Sequence, residues 1–186
     1  MTSDHLPLTT DRLLLRRWRD DDCEPFARIN ADPRTMEFFP APLSRAESDA
    51  LLDRLEASID RHGFGFWAVE LRDSGELAGF TGLNVPAFEA PFTPAVEIGW
   101  RLAPEHWGRG YASEAARAAL AFGFEQAGVE RIVSFTAVLN ERSQRVMERI
   151  GMRRVAGGDF LHPVLPPDHR LAPHVLYELT AADWRR

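Results

Sequence analysis

The chain has 186 residues, 45% of them hydrophobic, and a net charge of −6, which suits one sizeable core and makes a single globular domain over residues 1–186 the expectation. An acidic chain without a basic run argues against a nucleic-acid partner, and no apolar run approaches the roughly eighteen residues that mark a membrane span. The polar start MTSDHLPLTTDR lacks a signal-peptide pattern, so a cytoplasmic protein with no membrane partner is expected. The single cysteine, Cys23, excludes an intramolecular disulfide and any multi-cysteine zinc site.

Charge is unevenly placed: residues 1–93 carry 10 Arg against 17 Asp and Glu, and residues 94–186 carry 12 against 11. The two halves thus differ by eight charges. Every one of the 22 basic residues is arginine. Codon bias explains that, as does an enzyme that modifies amines and carries none on its own side chains.

In chain order, Thr10–Trp18 (TDRLLLRRW) reads as a first strand with one face covered. Asp20, Asp21 and Asp22 offer a cap and a negative first turn to a short helix with Phe26, Ala27 and Ile29 inward, which ends at Asp32-Pro33. The turn PRTMEFFP follows. Ser44 and Glu47 form a capping box before a helix burying Ala50, Leu51, Leu52, Leu55 and Ile59, closed by Gly63. The period then changes to that of a strand, and FGFWAVEL and ELAGFTGLNV form a hairpin around Arg72–Gly75. After the loop PAFEAPFTP comes a fourth strand, Ala95–Leu102, with Gly99 marking a bulge or a splay.

A glycine-punctuated turn then leads from Trp107 into an alanine-rich helix that runs from about Arg109 to about Ala127, with Gly128 as its stop. The remaining chain gives a fifth strand (Arg131–Val138), a helix capped by Asn140 and ended by Gly151, and two tail strands near Met152–Phe160 and His174–Thr180. The sum is a mixed, mostly antiparallel α/β (α+β) sheet of about seven strands flanked by helices.

The turn at Trp107–Ser113 is a candidate anion site. Gly108 and Gly110 allow sharp bending and close approach of main-chain N–H groups, and the first helical turn leaves its own donors unpaired. An ordinary turn into a helix would look the same. A dinucleotide fingerprint is excluded, because Ser113 stands where the third glycine belongs and no βαβ unit precedes it. A nucleotide P-loop lacks its lysine.

With these segments in line, the sequence resembles the GNAT superfamily of acyl-CoA-dependent N-acetyltransferases, and within it the ribosomal-protein-alanine acetyltransferase branch. The resemblance rests on TDRLLLRRW, GFWAVEL, GELAGFTGL, VEIGWRL, WGRGYASEA, NERSQRVMERIGM and VLYELTAADW. It implies a sheet splayed between the fourth and fifth strands, with the pantetheine arm of acetyl-CoA in the gap against Gly99, Trp100, Arg101 and Leu102. It places the pyrophosphate on Trp107, Gly108, Arg109, Gly110, Tyr111, Ala112 and Ser113, with Trp107 replacing the usual Gln or Arg. Asn140 matches the family asparagine that bonds the pantetheine arm.

The implied reaction is attack of a neutral amine on a thioester in a ternary complex, which needs a base and an acid. Glu97 matches the family base; strand alternation could instead turn it to solvent. The tyrosine that many relatives use as acid is replaced by Met147, and Ser143 is the group this branch offers instead, unless it merely bonds a helix carbonyl. His174 is a reserve base, and His162, His169 and Tyr177 are further polar candidates near the tail loop. Phe38, Phe39, Trp67 and Trp100 would line an acceptor pocket or simply pack in the core. The partner implied is an amine acceptor, a peptide N-terminus or a small molecule such as a polyamine or antibiotic, with a homodimer admitted and no metal. The alternative is a non-catalytic acyl-CoA-binding regulatory module.

Overall fold

The computed structural model describes residues 7–185; the start of the polar lead and Arg186 lie outside them. Strands β1 (Leu8–Thr9), β2 (Leu13–Arg16), β3 (Phe66–Leu71), β4 (Leu77–Asn84) and β5 (Val96–Leu102) pair antiparallel in chain order. β6 (Arg131–Ala137) lies parallel to β5 and antiparallel to β9 (Pro173–Thr180). The short strands β7 (Arg153–Arg154) and β8 (Phe160–Leu161) both pair with β9. The sheet has nine strands, where about seven were expected. One addition comes from a single expected run that divides, and the other, β1, lies in the polar lead before the first expected strand.

Thr10–Trp18 is shorter than expected, because Thr10 turns the chain and β1 folds back on β2. Met152–Phe160 breaks at Gly157, whose φ of 70° favours glycine, and the Arg154–Asp159 ion pair closes the resulting turn.

Helix α1 (Cys23–Ala31) buries Phe26 and Ile29 as patterned. Its preceding aspartates do not cap it: Asp22 is buried and holds Arg16 with two hydrogen bonds of 2.7 and 2.8 Å, and Glu70 takes the Arg16 Nε–H at 2.6 Å. A buried guanidinium in a sheet outweighs the few tenths of a kcal/mol that an aspartate gains at a helix dipole. Helix α2 (Arg45–His62) follows the sequence closely, with Ser44 Oγ accepting the Glu47 N–H, Glu47 accepting the Ser44 N–H, and Gly63 left-handed at φ 75°.

Helix α3 runs from Tyr111 to Ala121 and continues as a π-helical turn over Phe122–Gln126. Gly123 lies where a Cβ would come within 2.8 Å of Ile132 and 2.9 Å of Leu83, so the helix sits on the sheet through a glycine. α4 (Glu141–Arg149) follows β6, and α5 (Ala181–Trp184), absent from the sequence reading, is capped by Thr180.

Side-chain alternation divides the two faces of the sheet. Trp67, Thr81 and Trp100 stand in one cross-strand row on the α3 side, where Trp67 packs edge-on against Phe122. Ala68, Phe80 and Arg101 form a row on the opposite face, where Phe80 meets Phe26 of α1. β5 and β6 pair only at Val96–Ile132 and Glu97–Val133. Beyond a last link, Ser134 Oγ–H to the Ile98 carbonyl at 2.9 Å, the two strands diverge. The expected splay is present.

Candidate active site

The turn into α3 holds an open row of donors. Gly108 and Gly110 are left-handed, with φ of 74° and 82°, and α3 has no side-chain cap. Among the described residues, no acceptor takes the main-chain N–H groups of Gly108, Arg109, Gly110, Tyr111, Ala112 or Ser113; the next residue, Glu114, resumes the helical pattern with Gly110. Successive N–H groups at a helix N-terminus favour an anion.

Arg12 braces this turn. It forms an ion pair with Glu114, donates from Nη1 to the Arg109 carbonyl at 2.9 Å, and stacks 4.6 Å over Tyr111. The sequence reading did not assign Arg12 a role, although it belongs to the TDR segment of the resemblance. Thr10, Arg12, Ser113, Arg117 and Arg149 line a pocket beside the turn. Trp107 turns its indole N–H to the Leu102 carbonyl at 2.8 Å, with the Arg142 guanidinium 4.6 Å over its ring. Trp107 thus ties the turn to the end of β5.

The main chain of β5 presents its groups alternately. The bond from the Ala103 N–H to Ala78 sets the register, so Gly99 and Arg101 direct their main chain to β4, and Trp100 and Leu102 direct theirs to the gap. The Leu102 carbonyl is taken by Trp107, which leaves the Trp100 main chain and the Leu102 N–H facing the splay. Gly99 is not at a bulge, because its register with β4 is continuous. Its missing Cβ admits the Phe66 ring, which would stand 3.1 Å away.

Glu97, Gly99 and Arg101 share the face turned to α1 and α2. Glu97 accepts a 2.7 Å hydrogen bond from Asn84, and burial pushes its pKa up to about 7 against the opposing effect of that bond. A carboxyl group poised there can accept a proton near neutral pH. The alternation that could have turned Glu97 to solvent instead sets it over the splay.

Arg101 donates from Nη1 to Asn30 at 2.7 Å and lies 4.1 Å from the centre of the Phe39 ring. Phe38 is partly buried in the same turn. Trp67 does not line a pocket with these residues: it is fully buried on the α3 face. Trp100 also points its side chain to that face, because it lies one residue out of phase with Glu97 and Arg101. For Trp67 core packing prevails, whereas Trp100 is only half-buried.

Across the splay, Asn140 accepts the Ser143 N–H and so caps α4, while its Nδ2 donates to Thr136 at 3.0 Å and to Ser143 Oγ at 3.1 Å. Ser143 Oγ–H donates to no helix carbonyl, so its proton is free for another acceptor. His174 stands opposite Ala137 on β9, on the same face as Glu97, in an aromatic cluster with Phe135, Phe160 and His162. Its Nδ1–H donates to the Ala172 carbonyl, and burial holds its pKa below the usual value. No hydrogen bond or ion pair joins it to Glu97 among the described residues. Cys23 has its pKa raised by burial, with Asp49 next, so it is not an activated thiol. The potential metal ligands that group together, Glu76, Glu105 and His106, include none of the expected site residues.

The sequence model of the acetyltransferase (GNAT) domain matches residues 12–153. The uncharacterized N-acetyltransferase YoaA of Bacillus subtilis is 32% identical over 149 residues, covering 79% of this chain and 82% of that protein. The FsC-acetyl coenzyme A-N(2)-transacetylase of Aspergillus fumigatus is 30% identical, covering 96% of this chain and 78% of that protein. The solved structure of a GNAT-family acetyltransferase from Bacillus anthracis shares 25% identity and a TM-score of 0.78, covering 95% of this chain and 99% of that one.

A splayed sheet beside an uncapped, glycine-bearing helix N-terminus thus belongs here to an acyl-CoA-dependent transferase. The chain is a member of the GNAT acetyltransferase family and an acetyl-CoA-dependent N-acetyltransferase. The residues present fit the co-substrate: the open N–H row suits a pyrophosphate, and nothing lies within 4 Å of a Cβ position at Gly108.

Proposed function

We propose that this chain acetylates a primary amine by direct attack in a ternary complex, with Glu97 as the base. Acetyl-CoA, when bound, supplies the acetyl thioester. The turn at Gly108–Ser113, braced by Arg12, holds its pyrophosphate, Arg117 and Arg149 offer charge at its nucleotide end, and the Trp100 main chain and the Leu102 N–H hold the pantetheine arm. Glu97 takes a proton from the arriving ammonium, directly or through water, so that the nitrogen lone pair is free to form the amide bond. Ser143, held by Asn140, donates a hydrogen bond to the departing sulfur.

The observation that carries this reading is the Glu97 carboxyl with its pKa near 7, next to the point where β5 and β6 part. A regulatory binding module would have no use for a desolvated acid there. Following the resemblance, the acceptor is a protein N-terminus beginning with alanine or serine. A small-molecule amine is the second reading; the Aspergillus relative is named for acetyl transfer from coenzyme A to an N(2) position. Thiol release from acetyl-CoA across peptides, polyamines and aminoglycosides separates the two. Glu97→Gln should retain acetyl-CoA binding and lose thiol release; unchanged turnover would remove Glu97 from the mechanism.

A further inference from the structure

Arg101 is a cation without a counter-charge. Among the described residues it forms no ion pair, its Nε is sealed from solvent with no acceptor, and its Nη2 makes no hydrogen bond. Its one hydrogen bond, from Nη1 to Asn30, is fixed from behind. Asn30 is fully buried and donates from Nδ2 to Ser48, itself fully buried, at 2.9 Å. A chain of two residues, Ser48 of α2 and Asn30 of α1, thus holds the guanidinium by one corner and leaves its Nε–Nη2 edge unused. Phe39 and Phe80 lie at 4.1 and 5.2 Å from Cζ and offer ring faces, which attract the charge but take no N–H bond along that edge.

The location gives the unused edge a purpose. Arg101 lies four residues from Glu97 on the same face of β5, about 13 Å along the strand at the usual rise. Its side chain meets Asn30 of α1 and the Phe39 ring, and its main chain is turned to β4 and not to the gap between β5 and β6.

From this arrangement we propose that Arg101 is a specificity residue that receives a carboxylate of the acceptor, so that the substrates are amines also bearing a carboxylate, such as peptides or amino-acid derivatives. The proposal rests on the acetyltransferase reading and names the acceptor class of that site. A planar guanidinium that keeps its charge at neutral pH, with its Nη2 N–H groups free, matches a carboxylate better than any neutral group. A polyamine or an aminoglycoside, being all cation, would set like charge against it.

The test uses the full chain loaded with coenzyme A and product mimics that need no turnover. Binding of N-acetyl-Ala-Ala acid, its C-terminal amide, and N-acetyl-Ser-Glu amide is measured by calorimetry on the parent, Arg101→Met and Arg101→Lys. The parent should bind at least one carboxylate-bearing mimic about tenfold more tightly than the neutral amide. The acid reports a terminal carboxylate and the Glu peptide a side-chain one. That preference should vanish in Arg101→Met and partly return in Arg101→Lys. Equal binding of all three mimics by the parent, or a preference that survives Arg101→Met, overturns the proposal. So does a loss in Arg101→Met of coenzyme A binding alone, which would place the guanidinium on the cofactor. Coenzyme A affinity and thiol release by the parent report separately on the acetyltransferase reading.

Discussion

Two arginines on the same sheet are treated in opposite ways. Arg16, 6% exposed, is closed on by Asp22 and Glu70 so that its charge is consumed within the fold. Arg101 meets an amide and two aromatic rings and no carboxylate, and desolvation lowers its pKa to about 10. The helix ends repeat the contrast. The N-terminus of α2 is closed by Ser44 and Glu47, whereas that of α3 has no side-chain cap and its first donors are unused. Polar groups closed by the chain itself hold the structure, and the open ones at Arg101 and at the start of α3 are the places proposed above for a ligand.

The largest expected effect tests the closed arginine. Arg16→Met strands two carboxylates, one of them buried, and should cost about 3–5 kcal/mol of unfolding free energy in urea titrations. Arg101→Met strands no carboxylate and should change stability by about 1 kcal/mol or less. Similar losses in the two variants would break the comparison.

Next, Glu97→Gln should lower kcat by at least about a hundredfold, some 3 kcal/mol of barrier, with the parent's unfolding midpoint kept. The parent's rate should also depend on pH through this group. The base form accumulates as pH rises, so thiol release should fall about tenfold per unit below pH 7 and level off above it. Stability carries the same signature with the opposite sense. Because the folded pKa lies above the ordinary carboxylate value, the Glu97 contribution is fully present below that value and is lost as pH climbs to about 7. Glu97→Gln should remove that slope; a parent without it would mean that Glu97 is well hydrated.

Smaller effects separate the two helix ends. Gly110→Ala forces a side chain into the left-handed region at φ 82°, at a cost of about 1–2 kcal/mol, and should raise the KM for acetyl-CoA about tenfold with little change in kcat. Ser44→Ala should cost about 1 kcal/mol of stability and leave that KM unchanged. A KM shift with the α2 cap, or none with Gly110, would mean that the open donors do not define the cofactor site.

Much of this was legible in the sequence where local chemistry decides. The capping box at Ser44–Glu47, the glycine stops at Gly63 and Gly128, the hairpin and the glycine turn at Gly108–Gly110 all depend on residues within a few positions of one another. The aspartates before α1 were legible in part: they form an acidic 3-10 turn that runs into α1, but the Asp22 carboxylate also takes a partner six residues away, the buried Arg16. Trp67 misled for a related reason. Aromatic content does not say which face a strand turns to the groove, and that is fixed only once the β3–β4 register is set.

The sequence by itself determined the order of the main elements and a glycine turn suited to an anion, since these depend on backbone freedom, residue type and spacing, while the family resemblance pointed to the candidate base. Only the tertiary structure decided which of those groups are left open. Asn84 reaches Glu97 from the neighbouring strand, Asn30 and Ser48 hold Arg101 from two helices, and Arg12 crosses from β2's edge to brace the turn before α3. Whether a polar group is paired or free depends on partners distant in the chain, which folding alone brings within hydrogen-bond reach.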